Sequence, residues 1–132
     1  MSIAKSITKS IDIHTSIDTA FKFLSNPLNW SKWAVINLKS ISEGKDNWYE
    51  IETRHGKGQL KILADSHYGI LDHIWKDPQA SWTVPARVFK NDTGSTFIIT
   101  LFKPTLMDNN TFEAGTAELE IELKTLKQIL ES

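Results

Sequence analysis

The chain has 132 residues, 40% of them hydrophobic and 23% charged, which is the size and make-up of one globular domain spanning residues 1–132 that buries most of its apolar surface. Fifteen Lys plus Arg stand against 16 Asp plus Glu, so there is no excess positive field to hold a phosphate backbone, and nucleic acid is set aside as a partner. The absence of cysteine removes disulfides, thiolate catalysis and Cys-ligated zinc.

The N-terminal stretch "MSIAKSITKSIDIH" alternates apolar and polar residues and lacks the continuous apolar core of a signal peptide. No later stretch approaches the roughly 20 apolar residues of a membrane span, so the expectation is a cytoplasmic chain without membrane insertion. Ile3, Ile7, Ile11 and Ile13 place the first strand over about 3–14. A helix follows, with Thr15 or Ser16 as cap, Asp18 in the first turn, and Ile17, Phe21 and Leu24 repeating at i, i+4, i+7 until Asn26 and Pro27 stop it. "LNWSKW" then makes a second short helix or turn.

From residue 35 the grammar changes. "VINLKSISEG", "NWYEIETRHG", "GQLKILADS", "GILDHIWKDP", "SWTVPARVFKNDTG" and "STFIITLFKP" are rich in Ile, Val, Thr and aromatics and mostly end at Gly, Asp, Asn or Pro, the pattern of hairpin-linked antiparallel strands. Pro85 marks a bulge or an edge in the fifth of these. From about Asp108, Phe112, Thr116, Leu119, Leu123, Leu126 and Leu130 form the stripe of one long helix, with Glu120 and Lys124 at i, i+4 on its wet side. Gly115 inside that helix suggests a bend or a close approach. The fold class is therefore α+β: a seven-stranded antiparallel sheet, two short helices after the first strand, and a C-terminal helix around which the sheet curls.

This order, with "FKFLSNPLNWSKW" after the first strand and "ELKTLKQILE" at the end, resembles the START-like or SRPBCC superfamily, the birch-pollen-allergen-like helix-grip fold. Within it "YGILDHIW", "VPARVF" and "GSTFIITLF" look most like the bacterial polyketide cyclase/dehydrase-like branch. The resemblance implies a cavity between sheet and long helix, closed at one end by the short helices, in a superfamily of lipid carriers, hormone receptors, aromatase/cyclases and ATPase activators. Trp30 then reads as packing, while Trp33 is balanced between packing and a cavity wall.

Strand alternation splits Asp72 from His73, so the two cannot form a dyad through their own strand. The face carrying Leu71, His73 and Trp75 has a single titratable group and is assigned to the concave side, which makes His73 the candidate cavity histidine. Trp48, Glu50, Glu52 and Arg54 read as the convex face of their strand. In the reversed register Glu52 would instead face His73 or Arg87 as an acid or base. Arg87, if inward, could hold a carboxylate or carbonyl; if outward, it is a surface cation. The histidines at 14, 55, 67 and 73 lack metal-ligand spacing, and the glycines of "RHGKGQ" are explained by a hairpin, so no metal site, nucleotide loop or other cofactor is expected.

These readings lead to binding of a small hydrophobic or aromatic, lipid- or polyketide-like molecule between sheet and C-terminal helix, against Trp33, Leu71, His73, Trp75, Arg87, Phe112 and Leu119. The alternative is a cyclase/dehydratase-like enzyme that folds a substrate in that space, with His73, and Glu52 in the reversed register, moving a proton. The sequence leaves the ligand open, and the oligomeric state too, a homodimer included.

Overall fold

Apolar and polar residues alternate from Ser6 to Ile13, and this segment forms strand β1. The computed structural model describes residues 1–132. Helix α1 (Ile17–Ser25) starts at Ser16, whose Oγ accepts from the Thr19 N–H at 3.2 Å, and buries Ala20 and Leu24. Asn26 and Pro27 end it in a single 3-10 turn (Pro27–Asn29) that runs into the four-residue helix α2 (Trp30–Trp33). Then come β2 (Leu38–Glu43), β3 (Tyr49–Thr53), β4 (Gly56–Asp65), β5 (Ile70–Lys76), β6 (Ser81–Val84), β7 (Ala86–Asn91), β8 (Gly94–Phe102) and α3 (Asn109–Glu131).

The expected seven runs become eight strands because Pro85, lacking an N–H, splits the run over residues 81–94. On one side of the break β6 pairs with β5, His73 opposite Val84; on the other, β7 pairs with β8, Ala86 opposite Ile99. The sheet order is β1-β8-β7-β5-β4-β3-β2. Val84, Ala86 and Val88 are all buried, so the inward phase survives the proline. Two turns depend on glycine. Gly56 has φ +125° in the β3–β4 hairpin, while Gly69 has φ +68° and lies so close to β7 that a Cβ there would sit 2.0 Å from the Val88 carbonyl oxygen.

Asp108 caps α3, its Oδ1 accepting from the Thr111 N–H at 2.7 Å. The helix lies along β1, tied by the ion pairs Lys5–Glu113 and Lys9–Glu120. Glu120 thus turns to Lys9 on the strand, not to Lys124 on its own helix. These pairs are half-exposed and contribute little; the buried stripe Leu119, Leu123 and Leu126 stabilises the packing by about 1.5–3 kcal/mol per side chain. Gly115 makes no close approach: a Cβ there would meet no atom within 4 Å, and α3 runs through it without interruption.

Candidate functional site

In β5, Leu71 and His73 are buried and Trp75 is partly so, all on the inward face of the strand. Their opposite neighbour Asp72 instead accepts the Ala86 N–H at 2.9 Å. The helix-breaking "SNP" drops α2 onto this row. Trp30 stands edge-on to His73, 4.6 Å between ring centroids, and reaches Trp75 at 6.2 Å. Trp33 lies 5.0 Å from Trp30 and meets Phe97 of β8 edge-on at 6.2 Å. Trp30 and Trp33 are each 1% exposed, so this end of the grip is packed.

Hydrogen bonding distinguishes the two indoles. Trp30 Nε1 donates to the Leu24 carbonyl at 2.8 Å, the unpaired end of α1. Trp33 Nε1 is buried and has no acceptor, the only buried side-chain nitrogen or oxygen in the structure without a partner. An unpaired donor in an apolar interior costs about 1–3 kcal/mol. His73 Nδ1 lies 3.0 Å from the Leu71 carbonyl; a proton there satisfies that oxygen and leaves Nε2 as the acceptor of a neutral ring. Burial lowers the His73 pKa from 6.5 to about 4, the Leu71 carbonyl and Asp72 opposing the shift only in part.

Trp33, Leu71, His73, Trp75 and Leu119 therefore belong to one interior cluster. Phe112 is buried at the N-terminal end of α3, outside that cluster. Two candidates lie elsewhere. Arg87 is exposed on the convex face, where its Nε donates to the Tyr68 carbonyl at 2.8 Å and its guanidinium lies over Phe89; the phase kept through Pro85 turns it outward. Glu52 is exposed on the same face, because buried Ile51 takes the inward position, and the reversed register is rejected. Trp48 is on that face too, with the ammonium groups of Lys61 and Lys76 at 5.6 and 5.5 Å from its ring. Two open hollows of about 350 and 270 Å3 lie beside α1 and across β3–β4–β5, and neither is lined by the cluster. No group of three or more His, Cys, Asp or Glu is placed to hold a metal, and no helix is long and apolar enough to cross a membrane.

Sequence reasoning missed Glu122. Only 4% exposed, its carboxylate accepts from the Ile36 and Asn37 N–H groups at 3.1 Å each and from Asn37 Nδ2 at 3.3 Å. Burial raises its pKa, only partly countered by these donors. The signal was available: position 122 lies three residues after Leu119 and beside Leu123, so a charge stands on the apolar stripe.

No protein-family model matches the sequence, and no curated protein does. Solved structures match along nearly the whole chain. An uncharacterised protein from Bacillus thuringiensis superposes with TM-score 0.78 at 10% identity, covering 96% of this chain and 98% of its own. The Aha1 dimer from Colwellia psychrerythraea gives 0.73 at 14% identity, covering 96% of each chain. A START superfamily protein from Mycobacterium smegmatis gives 0.66 at 10% identity, covering 95% and 96%. The chain has the helix-grip fold of the START/SRPBCC superfamily.

Proposed function

We propose that the protein binds a small apolar or aromatic molecule carrying a hydrogen-bond acceptor, such as a ketone or ether, inside the grip between the sheet and α3. The observation that carries this reading is the unpaired Trp33 Nε1–H, set in an aromatic cluster with Trp30, Trp75, Phe97 and His73. A ligand oxygen there would satisfy the donor while the rings exclude water. Neutral His73 adds an acceptor at Nε2 for a ligand hydroxyl. An acid–base reaction has less support, since His73 lacks a carboxylate on its face and Glu52 is on the other side of the sheet. Binding is therefore preferred to cyclisation or dehydration.

The test is a fluorescence titration with a dimethylaminonaphthyl ketone, whose emission shifts on leaving water, on the wild type and on Trp33→Phe. Saturable binding to the wild type is expected, and about tenfold weaker binding when a smaller aromatic ring without the indole N–H takes its place. Equal affinities would remove Trp33 as the anchoring donor. No saturable binding to the wild type would leave the tryptophans as core alone.

A further inference from the structure

We propose that residues 30–37, comprising α2 and the link to β2, form the gate of the grip, and that Glu122 is the latch that holds it closed. The gate's role in ligand entry rests on the binding reading above; the latch itself does not.

Three observations carry the proposal. First, Trp30 and Trp33 are the side chains that α2 inserts against His73, Trp75 and Phe97, so displacing α2 uncovers that row. Second, the segment has few polar ties. Upstream, Asn29 and Trp30 side chains bond the end of α1, six residues away. The remaining bonds of residues 26–37 are internal or run from Leu38 N to the Ala34 carbonyl, except those to Glu122. From residues 30–37, every hydrogen bond to a part of the chain beyond α1 and the first residue of β2 ends on that one carboxylate. Third, the plug is imperfect: closing it buries the Trp33 N–H without a partner, a cost that opening relieves.

The latch is poised rather than fixed. A carboxylate held by two backbone N–H groups and an amide is well bound, but its burial opposes the charge. The closed state holds a proton on Glu122 more tightly than an open state in which the carboxyl meets water. Opening is therefore favoured as pH rises through the Glu122 pKa, not as it falls. The charged groups around it are Glu118, one turn earlier on α3, and Arg54 of the β3–β4 turn, which pairs with Glu118 and also donates to His55 Nε2. Lys32 of α2 is bonded to Asn29, and Lys39 of β2 is exposed.

The experiment uses the full chain without ligand. Amide hydrogen exchange over residues 34–38 and acrylamide quenching of tryptophan fluorescence are measured for the wild type, Glu122→Ala and Asn37→Ala, the last removing one of the three bonds and keeping the proposal testable if Glu122→Ala does not fold. Glu122→Ala should exchange about tenfold faster in this segment and quench more strongly, with β4 and β5 amides unchanged, and Asn37→Ala should show a smaller change in the same direction. Wild-type exchange in both variants, faster exchange spread over the whole sheet, or a loosened segment with no gain in quenching would each overturn the latch. Naphthyl ketone association is read in parallel: absence of binding to every protein counts against the binding reading, while exchange and quenching still decide the latch.

Discussion

Acidification should weaken the fold through one buried ring. Unfolded, the His73 imidazole takes a proton near 6.5; folded, wedged against Trp30 and bonded to the Leu71 carbonyl, it resists until about 4. The unfolded state therefore binds the extra proton between these values. The stability is fully present above 6.5 and lost as pH falls toward 4. The interval corresponds to about 3 kcal/mol in full, of which about 2 kcal/mol is lost between pH 7.5 and 5. Glu122 acts in the opposite direction, adding stability as pH falls through its raised pKa, so the net wild-type slope is not diagnostic alone. His73→Asn isolates the term, since its amide N–H can still donate to the Leu71 carbonyl but has no basic nitrogen. Urea denaturation of both proteins at pH 7.5 and 5 should show the wild type losing about 2 kcal/mol more than the variant. An equal loss in both, or an NMR titration of folded His73 centred near 6.5, would refute the reasoning.

Leu123→Ala should lower stability by about 2–5 kcal/mol in chemical denaturation, because the side chain is 2% exposed on the buried stripe of α3; a change near zero would mean the stripe is wrongly assigned. Arg87→Ala should cost under about 1 kcal/mol and leave naphthyl ketone affinity unchanged, as its guanidinium meets only the Tyr68 carbonyl and the Phe89 ring on the convex face; weaker ketone binding would contradict that placement. Ser16→Ala removes the cap of α1 and should cost about 1 kcal/mol in the same denaturation assay, against no change if the cap bond does not form.

Periodicity made the architecture legible. The change from alternation to steps of three and four at Asp108 located α3, and the capping oxygens of Ser16 and Asp108 are where the sequence pattern put them. Alternation gave which residues share a face but left open which face turns inward on the strands of Glu52 and Arg87; the burial of Ile51 places Glu52 outside and that of Val88 places Arg87 outside. The reach of a side chain across elements was not legible. Glu120 has a suitable partner on its own helix at Lys124, yet the approach of β1 gives it Lys9. Gly115 lay open because what flanks a helix position depends on how the sheet curves, which no local pattern records. The Trp33 N–H was hidden for a similar reason. The pattern reads Trp30 as packing and leaves Trp33 between packing and a wall, and only the placement of surrounding oxygens shows that Trp30 has an acceptor and Trp33 has none. Glu122 was readable as a charge on an apolar stripe, but its partners at 36 and 37 are more than eighty residues away.

The central claim, that the grip takes a ligand oxygen on the Trp33 indole N–H, is tested most directly by two-dimensional 15N–1H NMR of the five tryptophan indoles during naphthyl ketone titration, with Trp33 assigned through Trp33→Phe. The account predicts a saturable downfield shift of the Trp33 indole proton, the largest of the five, as an unpaired donor gains an acceptor. A titration in which the ketone leaves that resonance unmoved, or shifts only the exposed Trp82 or the convex Trp48, would contradict it.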